Sequence, residues 1–499
     1  MACMDSIAAL LRGLSNNACM AQTLAGLDEC DMVKARAVVA APGIAGRLPA
    51  DSAEITVSGL WSKQAILDCL QWFLTSGADA LLLVTGPGAA VFNPHGLRRM
   101  MACMRDTAAS IVYGDYYERL PDGSVRLHPL IDYQPGSLRD TFDFGPAMLV
   151  NGTYLAGILN AIEKTTPDLA FGGLYDLRLR LAERGPICRL PEPLYCCVRD
   201  KETSENGSHF AYVDPRNRTY QFEMEKVATL YLRRIGALVA APAEKPLAES
   251  GDFPVTASVI IPVRNRSRTI GGAVHSALSQ KTTFPYNVIV VDNHSSDGTT
   301  GILAHIAQKD PRLVHLVPKR TDLLIGGCWN TAIYSSHCGK YAVQLDSDDL
   351  YSGEDVLERI VAEFEKKPYA LVIGSYTTVD FDLNVRAPGL VDHREWTDAN
   401  GPNNALRIAG LGAPRAYHVP TLRQFGFPDV SYGEDYAVVL RLCRSYPVGR
   451  IYDSLYWCRR WEDNSDSALP LETANRYDSY KDRLRTVELA ARMRKEDCA

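Results

Sequence analysis

Four short apolar runs alternate with three helical stretches between Ser258 and Leu345, and this rhythm narrows the folds open to the chain more than any other feature. The runs Ser258–Val263, Asn287–Val291, Leu313–Val317 and Tyr341–Leu345 have strand length, and they are too evenly apolar to keep one face in water. Between them, the stretches Thr269–Gln280, Thr299–Gln308 and Gly327–Ser336 have helical length. The expectation is an α/β fold, with a mostly parallel twisted sheet flanked by helices. Ligands of such sheets sit beyond the carboxyl ends of the strands. Asn265, Asp292 and the cluster Asp346-Ser347-Asp348-Asp349 all fall there.

Three carboxylates at the end of a buried strand repel one another unless a cation joins them. Carboxylate oxygens suit hard divalent ions such as Mn2+ or Mg2+, which in turn neutralise a diphosphate. A calcium loop of the EF-hand type is excluded, because its sixth position must be Gly and here it is Tyr351. Alone, a D-x-D-D run is more often an acidic turn facing solvent; its neighbours give this one weight.

The formal charge of -6 gives no electrostatic reason for nucleic acid as a partner. Thirteen cysteines without C-x-x-C spacing fit reduced thiols and a cytoplasmic protein. The opening segment carries Asp5 and no sustained apolar core, and no run approaches the ~18 apolar residues of a membrane span. His294 and His393 have no partner spacing that suggests zinc. A Pro/Ala/Glu-rich stretch marks residues 236–254 as a linker, which leaves 1–235 before it, 255–470 as the principal domain and 471–499 as a helical tail. That tail reads as amphipathic, with Leu484, Val487, Leu489 and Ala490 as its apolar positions.

The segment 255–466 resembles the family 2 inverting glycosyltransferases, which have the GT-A nucleotide-sugar fold. The resemblance rests on motifs in the family's order. Val259-Ile260-Ile261-Pro262-Val263-Arg264-Asn265 is similar to the first strand and turn, with Arg264 in place of the usual aromatic. Val290-Val291-Asp292-Asn293-His294-Ser295-Ser296-Asp297-Gly298 is similar to the second strand and its loop. Gly327 to Asn330 precede the third helix's body, Asp346-Ser347-Asp348 resembles the D-x-D motif, and Gly433-Glu434-Asp435 the later acidic pair.

The resemblance implies roles position by position. Pro262, Arg264, Asn265, Asp292, Asn330, Asp346 and Ser347 would line the nucleotide-sugar donor, with Arg460 (beside Arg459, before Asn464) closing on phosphate. Asp348, with Asp346, would hold Mn2+ or Mg2+. Asp435, with Glu434, would be the base that activates an acceptor hydroxyl. Arg415 and Trp461 would border a glycan or lipid-linked acceptor, together with the loop 391–404. A UDP-sugar is the favoured donor and GDP-mannose the next, and a second copy of the chain is a candidate partner. Two other readings stay open: a nucleotidyltransferase, and a non-catalytic sugar-binding scaffold.

The first 235 residues echo this pattern. Gly77–Pro87 aligns with Gly339–Asp349, Asp176 with Asp435, and Tyr195 with Tyr456, at offsets of 339 − 77 = 262, 435 − 176 = 259 and 456 − 195 = 261. In this alignment Val84, Gly86 and Pro87 stand where Asp346, Asp348 and Asp349 do. The expectation is therefore a degenerate, non-catalytic GT-A-like domain, in which Asp115 and Asp176 are structural.

Overall fold

A computed structural model describes residues 5–14, 16–41, 52–198, 217–240, 247–248, 251–394, 396, 400–461 and 469–494. The chain forms two compact units, one of Met1–Ala211 with Thr219–Ala237 and one of Tyr212–Arg218 with Leu238–Ala499. Asn464 lies outside the described residues, as do 395 and 397–399 of the loop 391–404.

The sheet of the C-terminal unit runs Leu313–Leu316, Tyr286–Asp292, Ala257–Val263, Tyr341–Gln344, Arg415–His418, Leu371–Val379, Val448–Arg459, Leu350–Tyr351, with Val385–Val391 added beside Leu371–Val379. Its first four strands are parallel, joined through the helices Ile270–Leu278, Thr299–Lys309 and Ile325–Ile333. Val259, Ile260 and Ile261 are fully buried, which explains why this strand shows no alternation. Each such side chain contributes about 1.5–3 kcal/mol of transfer free energy. Pro262 is tolerated in a central strand because Tyr341–Gln344 pairs only as far as Ile260, so no bond is lost on that side.

The second half of the sheet departs from the mostly parallel expectation. Arg415–His418 runs antiparallel to both of its neighbours, and Val385–Val391 and Leu350–Tyr351 pair antiparallel as well. Those strands carry fewer continuous apolar runs, so their pattern in the sequence is weaker.

The N-terminal unit repeats this topology. Its first sheet runs Ala53–Thr56, Val33–Ala40, Ile7–Arg12, Ala80–Val84, Ala147–Asn151, Ile111–Gly114, Ile187–Leu190. Strand for strand, the parallel and antiparallel senses match those from Leu313–Leu316 to Val448–Arg459. The two long strands Leu371–Val379 and Val448–Arg459 correspond to strands broken in two, whose outer pieces Tyr116–Arg119 and Tyr195–Val198 join a second, four-stranded sheet. At one break, Asp115 is buried; its carboxylate accepts from Arg189 Nε and Nη2, both at 2.9 Å, and from Leu130 N–H, a purely structural use.

The tail helix Leu471–Met493 buries a different face from the one its apolar residues suggest. Val487 is 60% exposed and Ala490 is exposed, whereas Lys481, Asp482, Arg485, Glu488 and Arg492 are buried with Leu489. The surface beneath offers backbone carbonyls: Ala409 O to Lys481, Ile408 O to Arg485 and Pro402 O to Arg492. Ionic donors satisfy these acceptors where apolar side chains would leave them unpaired.

Candidate active site

The strand Tyr341–Gln344 delivers the acidic cluster to the carboxyl edge of the sheet. Asp346 is exposed to solvent at this edge, although the protein surrounds it closely enough to cost its charge some hydration. Gln344 Nε2 donates to both of its oxygens, at 3.0 and 3.1 Å, and Tyr456 OH accepts its backbone N–H at 3.0 Å. Burial raises the proton affinity of Asp346, and the charge of Asp348 adds to this against the pull of Arg415. Asp349 is buried and pushed well up, first by burial and then by Asp348 and Asp346. It also accepts the Arg459 N–H at 2.7 Å, while Arg459 Nε donates to the carbonyl of Asp348. The cluster is thus electrostatically short of positive charge.

The acidic pair lies at the start of the helix Glu434–Ser445, where Gly433 caps it with φ 82° and the helix dipole favours carboxylates. Asp435 Oδ2 is 2.9 Å from Arg415 Nη2, and its Oδ1 accepts the N–H of Tyr436 at 2.7 Å. Arg415, expected at the acceptor, is therefore the ion-pair partner of Asp435. Its backbone N–H donates to Gln344 Oε1 at 3.2 Å. One continuous path, Asp346–Gln344–Arg415–Asp435, joins the two acidic motifs.

Other candidate residues organise loops. Asp292 is fully buried; it accepts from Ser295 N–H and Thr300 OH and lies 3.4 Å from His315 Nε2. Burial pushes its carboxyl upward, but these hydrogen bonds outweigh that and leave it below its usual range. Asn265, at φ 54°, accepts the Ser296 N–H at 2.8 Å, which knits the first two loops together. Asn330 holds Phe427 through both its carbonyl and its N–H, at 2.8 and 2.9 Å, and so sets the segment that leads to Gly433. The same segment requires Gly326, whose Cβ would stand 1.8 Å from Pro428 O.

Pro262 and Ser347 are half-buried and Arg264 is exposed at the same edge. Arg460 N–H donates to Val379 O, and Arg459 meets the acidic loop through its N–H and its Nε. Trp461 Nε1 approaches Asp348 Oδ2 at 3.4 Å, and its ring meets Phe381 edge-on at 5.4 Å beneath Arg268. Gln344 and Tyr456 are the residues that sequence reasoning missed. Arg459 is the last residue of the strand Val448–Arg459 and Arg460 the first beyond it, and sequence does not say which of the two meets the cluster.

Glu434 is buried, and its carboxyl is pushed up to about 8, chiefly by burial and next by Asp435. In the unfolded chain it titrates near 4.5. Between those values the folded protein holds a proton that the unfolded chain has released, so stability falls as pH rises through this window. Glu434→Gln removes that loss. Melting in EDTA should show the variant gaining a few degrees on the native protein between pH 5 and 8 and no more above it. A difference that is flat with pH would contradict the burial argument.

The N-terminal unit lacks these groups. The registers Ile7↔Ala80 and Ala257↔Tyr341 put Thr85, Pro87 and Gly88 in the places of Asp346, Asp348 and Asp349, one residue on from the sequence alignment. The helices begin at Gly173 and Glu434, and 434 − 173 = 261, so Leu174 and not Asp176 stands where Asp435 does. Asp176 is buried against Arg180 and Thr166. The equivalent helical tyrosines, Tyr175 and Tyr436, each donate to a backbone carbonyl, that of Leu138 and of Ala405. Arg199, four residues beyond the aligned Tyr195, lies outside the described residues.

A parallel half-sheet, an antiparallel half and acidic groups on its carboxyl edge define a GT-A-type glycosyltransferase fold. Residues 258–409 match the family described as Glycosyl transferase family 2. The chain is 32% identical over 175 residues to a chondroitin synthase of Escherichia coli, covering 35% of this chain and 24% of that protein. It is 30% identical over 140 residues to a dolichyl-phosphate beta-glucosyltransferase of Dictyostelium discoideum, covering 25% of this chain and 42% of that one. The chain thus spans less than half the length of either relative. Among solved structures, TarS 1-349 of S. aureus in complex with UDP-GlcNAc is 20% identical with a TM-score of 0.35, covering 47% of this chain and 66% of that one. The mannosyltransferase PcManGT from Pyrobaculum calidifontis, in complex with GDP-Man and Mn2+, is 16% identical with a TM-score of 0.35, covering 56% and 84%. Among the described residues no helix is long and apolar enough to cross a membrane.

Proposed function

We propose that the C-terminal unit transfers a sugar from a nucleotide diphosphate sugar to a hydroxyl acceptor with inversion, in glycan or polysaccharide assembly. The observation that carries this reading is the path Asp346–Gln344–Arg415–Asp435, which fixes a base-type carboxylate relative to the acidic cluster. A UDP-sugar is the favoured donor and GDP-mannose the next. Similarity to a chondroitin synthase and to a dolichyl-phosphate beta-glucosyltransferase supports a glycan or lipid-linked acceptor.

Asp435 takes the proton of the acceptor hydroxyl as that oxygen attacks the anomeric carbon from the face opposite the leaving nucleotide. Arg415 and the Tyr436 N–H hold both oxygens of Asp435, so the carboxylate is oriented before substrate arrives. A single displacement needs no enzyme nucleophile. Asp346 and Asp348 would hold a divalent cation, Mn2+ or Mg2+. Among the described residues no three His, Cys, Asp or Glu side chains form a complete metal cage. Two carboxylates plus substrate phosphates are an ordinary donor set for such an ion, and the raised proton affinity of Asp346 and Asp349 fits a missing positive charge. When bound, the ion neutralises the charge that develops on the departing diphosphate.

The N-terminal unit, without carboxylates at the matching positions, serves as a non-catalytic partner of this domain. Release of UDP or GDP from a panel of nucleotide sugars with Mn2+ tests the reading. Turnover of at least one sugar is expected; release of pyrophosphate from a sugar phosphate and a nucleoside triphosphate would instead indicate a nucleotidyltransferase.

A further inference from the structure

The helix Leu471–Met493 lies beyond the residues that match the family, yet it packs directly against the acidic turn. Tyr477 stacks on Tyr432 with ring centroids 4.1 Å apart and planes 10° from parallel. Tyr480 and Lys481 sit against Gly433, at 3.5 and 3.7 Å from where its Cβ would be. Lys481 Nζ donates to Tyr432 OH at 3.1 Å and to Ala409 O at 2.9 Å, and it lies 4.3 Å from the centre of the Tyr432 ring. One helical turn on, Arg485 Nε donates to Tyr436 OH at 2.8 Å. The segment Tyr432–Tyr436 is therefore gripped on both sides of Glu434 and Asp435 by a single helix.

A lysine only 7% exposed is costly unless its charge is used. Burial drives its ammonium down to about 8, against the opposing pull of Asp435 and Glu434. An apolar residue of equal length would fill the same space without that cost. What it would lose is the link from Ala409 to Tyr432, which fixes where the turn at Gly433 begins.

We propose that Lys481 is a positioning residue for the acidic pair: its ammonium pins Tyr432 to Ala409 and so sets the position from which Asp435 reaches the acceptor hydroxyl. The inference rests on the sugar-transfer reading above. It assigns part of the catalytic geometry to a helix outside the family-matching segment. Lys481 touches neither the donor side nor the acidic cluster, so its effect falls on the chemical step.

The test compares native protein, Lys481→Met and Tyr432→Phe in nucleotide release from the best nucleotide sugar of the panel, with calorimetry of UDP or GDP binding in Mn2+. Lys481→Met is expected to lower kcat by on the order of tenfold to a hundredfold, with donor KM within about twofold of native. Nucleotide-binding stoichiometry should stay unchanged; it counts the folded molecules and separates misplacement of the base from simple loss of fold. Tyr432→Phe, which removes only one hydroxyl, is expected to lower kcat by a few-fold in the same pattern. Native kcat in Lys481→Met overturns the inference, as does a fall matched by lost binding sites while Tyr432→Phe remains native. If Lys481→Met does not fold, Tyr432→Phe decides by the same criterion. Absence of turnover in the native protein with every nucleotide sugar overturns the transfer reading itself, and this inference with it.

Discussion

Asp435→Asn should reduce turnover by about a thousandfold while leaving nucleotide binding within a few-fold of native, because a general base typically contributes 10²–10⁴ in rate. Asn keeps the shape of the side chain and can still accept the Tyr436 N–H that anchors Oδ1. It cannot take a proton. It also leaves Arg415 facing an amide in place of a carboxylate at 2.9 Å, and breaking a largely enclosed ion pair costs about 3–5 kcal/mol. A lowered melting temperature is therefore expected together with the lost rate. Steady-state nucleotide release and calorimetric nucleotide binding check the two halves separately. Near-native turnover would move the base away from Asp435, with buried Glu434 next in line.

Asp348→Ala should behave differently. Metal-dependent turnover should fall by about a thousandfold or more, equivalent to about 4 kcal/mol of stabilisation of the departing nucleotide. The fold should not suffer, because the charge of Asp348 pushes up both Asp346 and Asp349 and its removal relieves that repulsion. Melting in EDTA should accordingly be unchanged or higher than native, and the rise in melting temperature on adding Mn2+ should be lost. Unchanged turnover would remove the cluster from the chemistry. A marked drop in melting temperature without metal would instead recast Asp348 as a structural residue.

The parallel half of the C-terminal sheet was legible because buried strands and amphipathic helices leave strong, unmixed patterns. Strand and helix ends from Ala257 to Gln344 fall within three residues of those read from the sequence. The place of Asp346 and Asp348 was legible too, since they follow a strand end the pattern marks, whereas Glu434 and Asp435 were picked out by resemblance to a family motif and stand inside the helix Glu434–Ser445. What sequence could not supply was the partner of each polar group. Gln344 and Arg415 come together only because Arg415–His418 inserts antiparallel beside Tyr341–Gln344, a pairing between segments about 70 residues apart. The tail helix misled for a related reason. Hydrophobic periodicity assumes an apolar surface beneath, and this helix lies on backbone carbonyl groups that accept from Lys481, Arg485 and Arg492.

The matching architecture of the two units bears on their history. At Gly88, the position of Asp349, a Cβ would lie 2.3 Å from the carbonyl oxygen of Val198; at neighbouring Gly86 it would lie 2.7 Å from Pro146. An acidic side chain cannot be reinstated there one codon at a time, because the backbone of the adjoining strand already occupies the space. With the strand Tyr195–Val198 where it is, a side chain like that of Asp349 cannot be carried at Gly88 unless that strand shifts.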